Sequence, residues 1–347
     1  MKATANDIKK INDLYAGRTA FFGDLHNHSN SGGTSDGRCT LTEWREGMEK
    51  LGLDFAAILD HRQVRHMYLD EWEDGVFIGG SEPGTIIPDS KAEVKSMHYN
   101  MIFENAKPLE KLLEAFPEFG FTGGMEGHFG YPNFTVERMR ELIAFIKANG
   151  GFFVYPHPTQ IMKSDDPLDF WFADETGFEV FYYTMTHPET EANYKLWCKL
   201  LDLGKRIWAC SGEDAHSVPS VNALTVIYAE EKKNASYLSH LRCGDFICGS
   251  VGIRMCIGDT LMGGVGSFDG EKLIVSVADF HNSIVKDGHT YKLVVLNDKG
   301  VVAEEEIFAD RENVFSYDVE DCRFYRAEVI DVTEELRIAI GNPIWKA

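Results

Sequence analysis

The chain has 347 residues, 44% of them apolar and 26% charged, the proportions of an ordinary globular protein long enough for one large domain or two. A formal net charge of −21 argues against a protein that holds nucleic acid or an anionic membrane surface by bulk electrostatics. Seven scattered cysteines without a CxxC pair read as reduced thiols in a cytoplasmic protein, and no window approaches the roughly 20 apolar residues that span a bilayer.

The opening MKATANDIKKINDLYAGRTA has no apolar core of signal-peptide length and predicts a short polar helix. AFF then leads into GDLHNHSNSGGTSDG, residues 23–37. In an extended chain alternate side chains share a face, so His26 and His28 point one way with Asp24 in line behind them. Burying three polar groups on one face is costly unless water, a carboxylate or a metal ion pairs with them.

From residue 20 to about 245, strand-like apolar runs alternate with helical patterns. FAAIL (55–59), VFIGG (76–80), YNMIF (99–103), FFVYP (152–156), FEVFYY (178–183), IWACS (207–211) and LTVIYA (224–229) predict strands. Residues 41–52, 135–151 and 189–204 carry helical apolar spacing, the last two starting at Thr135 and Thr190 and ending at glycine. Doubly apolar strands alternating with helices predict a mainly parallel sheet closed into a barrel, with function at the C-terminal strand ends. Residues 83–134, richer in Pro, Gly and aromatics, are expected to lie over the barrel mouth, with Phe129, Tyr131 and Phe134 lining the pocket or filling core. After about residue 250, KLIVSVADF, YKLVVLND, AEEEIFAD, VFSYDV and YRAEVIDV are short runs separated by turns, predicting a small antiparallel β-sandwich. The expected division is 1–250 and 251–347.

Nearly every predicted strand of the first part ends in a histidine or a carboxylate: His26 and His28, His61, Glu82, His157, then Asp214 and His216, while His98 opens its strand. Imidazoles and carboxylates are the donors that Zn, Mn and Fe accept. With Asp36 the set exceeds what one ion can use, so two or three divalent ions are expected, Glu82 and Asp214 bridging. His240, His281 and His289 lack such placement and read as surface histidines. Ser81, Ser211 and Cys210 neighbour the set, but no Ser-His-Asp order accompanies them, which disfavours a covalent serine mechanism.

Taken in order, GDLHNHS…SDG, DH, GSE, the histidine before an apolar strand, PHP and SGEDAH resemble the motifs of the polymerase-and-histidinol-phosphatase (PHP) superfamily of metallohydrolases, over most of residues 20–250. The C-terminal part, with GDFICGSVGI and the ending GNPIW, is similar to the branch containing carbaryl-hydrolase-type enzymes. The resemblance implies an α/β fold, a distorted seven-stranded (β/α) barrel, and up to three ions. It implies that His26 and His28 bind one metal closed by Asp214, and that Glu82 bridges to a second completed by His98 and His157. Asp36, His61 and His216 would hold the third. One departure stands out: Asp36 lies eight residues beyond His28, farther than the loop ligand usual in the family.

The expected activity is hydrolysis of a small phosphate ester by a metal-bridging hydroxide, with no nucleic-acid or membrane partner and the oligomeric state open. A carboxylic or carbamate ester or amide substrate, or a non-catalytic metal-binding module, are the alternatives. Asp24, Asp60 and Glu213 are expected to orient imidazoles or to act as ordinary capping or surface carboxylates. His128 is the candidate proton donor to a leaving group and Arg254 the candidate contact to a substrate anion, each weighed against a purely structural role.

Overall fold

The computed structural model describes residues 2–122, 127–161, 166–218 and 222–347. Helix α1 (Ala5–Leu14) opens with a capping box between Thr4 and Asp7. The mixed α/β body follows: β1 (Thr19–Asn27), α2 (Leu41–Leu51), β2 (Phe55–Ile58), β3 (Phe77–Ser81), β4 (Asn100–Phe103), α3 (Lys107–Ala115), α4 (Val136–Ala148), β5 (Phe152–Tyr155), β6 (Thr176–Tyr182), α5 (Pro188–Asp202), β7 (Ile207–Gly212), β8 (Thr225–Ala229) and α6 (Asn234–Cys243). Thr135 caps α4 as its sequence predicts. Helix α5 instead starts at His187, whose ring accepts from the Glu189 N–H, because Pro188 supplies the fixed φ that suits a first helical position. Thr190 lies one turn inside, its hydroxyl bonded to the carbonyls of Tyr182 and Thr184.

One large sheet runs β8-β1-β2-β3-β4-β5-β6-β7. β1, β2 and β3 are mutually parallel, as are β5, β6 and β7, while β4 is antiparallel to both of its neighbours. The sheet curls until the chain leaving β7 meets the chain leaving β1: Asn27 bridges Ala215, with His28 N–H donating to Ala215 O at 2.9 Å and Ala215 N–H to His26 O at 3.2 Å. The C-terminal ends of six parallel strands therefore share one rim. Apart from the first residues of β1 the strands of this sheet are buried throughout, so an apolar core that includes Phe55, Ile78, Phe103, Phe152, Phe178 and Trp208 supports that rim from below.

The tail supplies β9 (Ile247–Gly249), β10 (Val251–Ile257), β11 (Lys272–Phe280), β12 (Tyr291–Asn297), β13 (Gly300–Ile307), β14 (Asn313–Asp318), β15 (Phe324–Asp331) and β16 (Leu336–Gly341). β10, β11 and β14 form an antiparallel sheet of their own. β12, β13, β15 and β16 are antiparallel too, but β16 pairs with β9, and β9 with β8. Hydrogen bonding thus continues across residue 250, where the sequence pattern changes. Ile253, Val275 and Val277 of one layer share a core with Leu293, Val329 and Ile338 of the other.

Candidate metal centre

His26 and His28 leave the end of β1 and are fully buried, their rings 5.3 Å apart. His61 follows β2 and is bridged to Glu82, which follows β3. His98 ends the strand Ser96–His98, which pairs with Gly84–Ile86 over the same rim. His157 follows β5, and Asp214 and His216 follow β7. Of seven non-glycine residues with positive φ among the described residues, Arg62, His157, Tyr183 and Asp214 sit at this rim, at 56°, 28°, 61° and 51°. Such backbone persists only where surrounding structure over-determines it, and it concentrates at functional sites.

The buried Glu82 carboxylate is the centre of the arrangement. Its Oε2 lies 3.1 Å from His26 Nε2 and 3.2 Å from both His28 Nε2 and His61 Nδ1. Its Oε1 lies 2.8 Å from His98 Nδ1 and 3.2 Å from His157 Nε2. Asp214 Oδ1 is 2.9 Å from His28 Nε2 and 3.5 Å from His26 Nε2. His26 Nε2 and Glu82 Oε2 have no hydrogen-bond partner among the described residues, although they are buried. Close atoms that converge without bonding one another fit a shared cation.

Three overlapping donor groups result, each with its donor atoms within 4.8 Å of one another: His26, His28, Glu82 and Asp214; His61, Glu82 and His98; and His28, Asp36, His61 and His216. His157 stands outside these groups but shares Glu82 Oε1 with His98. His61 belongs to two of them. The residues present fit a cluster of divalent ions in donor type and spacing.

The long loop after His28 brings Asp36 back to the rim. Asp60 anchors its start, accepting the Ser29 N–H at 2.6 Å, the Ser29 hydroxyl at 2.8 Å and the Ser31 hydroxyl. Gln63 donates to Ser31 Oγ at 2.9 Å and Gly32 O at 2.8 Å, and accepts the Thr34 N–H at 3.1 Å. Arg38 N–H closes the loop on His216 O at 2.7 Å. Asp36 Oδ1 then sits 3.2 Å from His216 Nε2 and 3.6 Å from His61 Nε2. His216 Nδ1 faces the Asp214 carbonyl at 2.8 Å, which leaves Nε2 turned to Asp36.

The electrostatics of the cluster demand positive charge. Burial opposes ionisation of Glu82, yet the charge of His26 and the close approach of the His157, His26 and His28 rings outweigh it and hold the carboxyl well below its usual range. Burial likewise opposes a charged His28, but Asp214 and Glu82 lift it to about 9. His26 rises for the same reason, with Glu179 adding to Glu82 and Asp214. His61, by contrast with His26 and His28, is held down by burial. Carboxylates that draw protons onto neighbouring imidazoles are the ones a divalent cation would satisfy.

Several side chains stand elsewhere than their sequence context suggests. Glu179, inside FEVFYY, is the imidazole acceptor: its Oε1 is 3.1 Å from His26 Nδ1. A lone carboxylate in a buried strand is the signal that marks it. Asp24 instead accepts the backbone N–H groups of His26 at 2.7 Å and Glu213 at 3.0 Å. Asp60 holds the loop and His66 at 3.0 Å, and Glu213 accepts the Asn222 N–H at 2.7 Å. Tyr182 donates to Asp214 Oδ2 at 3.3 Å.

His128 is exposed, bonded through its backbone to Thr122, with no contact to the cluster among the described residues. Arg254 is out of place for an anion contact. It pairs with Glu312, donates to Ser276 Oγ at 3.0 Å, and lines a cavity with Thr19 and Ala20. Those residues start the strand that His26 ends, about 20 Å away at the rise of an extended chain. His240 and His281 are buried rather than superficial, and His289 faces Asp331 at 2.7 Å. Phe129 and Phe134 are core, while Tyr131 is exposed. All seven cysteines are free, and no helix of the described residues is long and apolar enough to cross a membrane.

No family model and no curated protein matches the chain. Among solved structures it is similar to a protein from Bifidobacterium adolescentis assigned as a metal-dependent phosphoesterase, at 18% identity over 64% of this chain and 95% of that one, with a TM-score of 0.38. It is also similar to an amidohydrolase from Chromobacterium violaceum, at 19% identity over 56% and 87% of the two chains and a TM-score of 0.36. A lesion-specific endonuclease from Pyrococcus furiosus aligns at 14% identity over 65% of this chain and 56% of that one, with a TM-score of 0.44. Similarity this low fixes neither activity nor substrate. The expected exclusion of a nucleic-acid partner finds no support in these comparisons.

Proposed function

We propose that the chain is a metal-dependent hydrolase of the PHP type, most at home on a small phosphate ester. The observation that carries the reading is Glu82, whose two oxygens face five imidazole nitrogens at 2.8–3.2 Å, the arrangement of a carboxylate shared between cations. His26, His28, Glu82 and Asp214 would hold one ion, Glu82, His98 and His157 a second, and Asp36, His61 and His216 a third. Bound divalent ions of the Zn, Mn or Fe class supply Lewis acidity and can lower the pKa of water to about 7. The protein's own part is to fix the donors and to present them on one open rim. Up to three cations around that rim suit the charge of a phosphoryl group.

In the same reading β1 to β7 form a seven-stranded barrel closed by the Asn27–Ala215 bridge, and the two tail layers form a β-sandwich over residues 251–347. The similarity of the tail to carbaryl-hydrolase-type enzymes makes an ester or carbamate substrate the comparison to run. Protein loaded with Mn or Zn is assayed against chromogenic phosphate mono- and diesters, an aryl carboxylate ester, a carbamate and a short oligonucleotide, with metal counted by elemental analysis. Two or three ions per chain with turnover of the phosphate esters is the expected result. Turnover confined to the carboxylic or carbamate ester overturns the phosphoesterase reading, and metal-free protein from metal-rich medium overturns the hydrolase reading as a whole.

A further inference from the structure

We propose that Arg62 and Tyr131 form an anion-recognition subsite beside the His61–Glu82–His98 side of the rim, taking an anionic oxygen group of the substrate such as a phosphoryl group. The inference rests on the hydrolase reading for its substrate, but not for its binding.

The first argument is charge. The chain carries 55 acidic against 34 basic residues, so a cation finds a carboxylate readily. Ten of the fourteen arginines have one within 4.0 Å among the described residues. Arg62 has none among the described residues, although it follows His61 directly and its N–H bonds the Glu82 carbonyl. A guanidinium presents five donors in a planar fork that matches phosphate and carboxylate oxygens. Without a carboxylate partner among the described residues, at a rim built for cations, it adds to the positive field that draws an anion in.

The second argument is position. Arg62 is held from two sides: its N–H donates to Glu82 O at 3.2 Å, and its carbonyl accepts the Phe129 N–H at 2.5 Å. Its φ of 56° is a conformation that side-chain-bearing residues seldom adopt, here imposed by those neighbours. The segment that starts at Phe129 continues across the rim and is fastened beyond it, where Pro132 O accepts the Thr85 hydroxyl at 2.8 Å and the Ile86 N–H at 2.9 Å. Tyr131 lies between these fastenings and packs on Gly84, where any Cβ would overlap its ring. Gly84 is the register partner of His98. Phe129 and Phe134 turn fully into the core, yet Tyr131 stays 42% exposed.

The two side chains act on one another and on the cluster. Burial lifts the pKa of the Tyr131 hydroxyl, a Ser96 bond and the Arg62 charge pull it down, and Glu82 pushes it up. Packed on Gly84 opposite His98, and tied to Arg62 through the Phe129 N–H, Tyr131 stands where an anion bridging rim and guanidinium would meet it. Arg254, the residue that sequence alone nominates for this task, is already paired with Glu312.

The test uses inorganic phosphate as the probe, titrated calorimetrically into the Mn-loaded protein, together with kinetics on 4-nitrophenyl phosphate and the uncharged 4-nitrophenyl acetate. Arg62→Ala is expected to weaken phosphate binding and raise KM for the phosphate ester roughly ten- to a hundred-fold, the range of a charged hydrogen bond. Metal content and acetate turnover stay at wild-type levels, Arg62→Lys restores part of the loss, and Tyr131→Phe gives a smaller effect of the same sign. Arg242→Ala removes the same charge beside Arg18 and Arg206, at the starts of the strands, and is expected to change nothing. If Arg62→Ala folds poorly, Arg62→Gly, which accepts the positive φ, carries the same comparison. Wild-type phosphate affinity in the Arg62 variant overturns the subsite, as does a loss that comes with lost metal. Phosphate binding through Arg62 in a protein that hydrolyses no phosphate ester leaves the subsite standing and overturns the phosphoesterase reading alone.

Discussion

The Glu179 carboxylate lies 3.1 Å from His26 Nδ1 through one oxygen and accepts the His157 N–H at 2.7 Å through the other. One buried side chain on β6 thereby fixes the tautomer of a histidine on β1 and the backbone of another after β5. With Nδ1 engaged by Glu179, His26 Nε2 is the nitrogen turned to Glu82 and left for a cation. Carboxylates in this position typically contribute ten- to a hundred-fold in metal affinity. Glu179→Gln is therefore expected to lower affinity by roughly that range in a chelator competition, with the circular dichroism spectrum unchanged. A Cβ at Gly212 would overlap both Glu179 Oε1 and His26 Cβ, so Gly212→Ala should weaken metal binding and lower Tm together. Wild-type affinity in Glu179→Gln would remove the carboxylate from this role.

Asp36 depends on its loop rather than on a strand. Its position follows from the hydrogen bonds of Asp60 and Gln63 to residues 29–34. Asp36→Asn is expected to reduce the ion count by one, leaving the ions around Glu82 in place. Gln63→Ala, which frees the loop without touching a donor, should do the same in part, as weaker rather than absent binding. Elemental analysis after dialysis at graded metal concentration separates the two. Loss of all ions in Asp36→Asn would mean that the three donor groups assemble as one.

Apolar strands ending in a histidine or a carboxylate are legible in sequence because the signal is local: a run that must be buried, then a group that cannot be buried alone. All seven runs from FAAIL to LTVIYA contain strands, and the histidines that follow them converge because parallel strands share a direction. What escapes the sequence is non-local. Glu179 supports His26 across 153 positions, and Arg62 acquires its neighbours only when Phe129 and Glu82 close on it. The loop length that sets Asp36 apart has meaning only once Asp60 and Gln63 are seen holding it. Thr190 looks like a helix cap because the competing His187–Pro188 start is an equally short-range signal, decided by proline geometry.

Arg254 spans α1 and the first tail sheet, donating to Asn12 Oδ1 at 3.1 Å and Ser276 Oγ at 3.0 Å and pairing with Glu312. Its guanidinium lies 5.8 Å from the Tyr15 ring centre and 5.9 Å from that of Tyr228. The expected result of Arg254→Ala is a protein less stable by about 1–3 kcal/mol, from lost charged hydrogen bonds and packing, with metal content and turnover retained. Urea unfolding and the phosphate-ester assay measure the two halves. A variant of unchanged stability with lost turnover would return Arg254 to the chemistry.

Glu328 sets the acid limit of the joint between α5 and the tail. It is buried, paired with Arg326, 2.9 Å from Arg337 Nε and 2.6 Å from the Tyr194 hydroxyl that α5 contributes. Burial works against its charge, but Arg326 and Arg337 outweigh it and pull the carboxyl down to about 2. The unfolded chain titrates near the ordinary glutamate value of about 4.3, so folding here favours the deprotonated form. The stabilisation, about 3 kcal/mol for a shift of this size, is complete above that value and is lost as pH falls from about 5 towards 2. Glu328→Gln should be destabilised at pH 7 by an amount of order 3–5 kcal/mol, because Arg326 is left buried without its counter-charge. Urea unfolding of both proteins from pH 7 down to pH 3 should show their difference shrinking as the wild type loses what the variant never had. A difference that stays constant across that range would place the titration elsewhere.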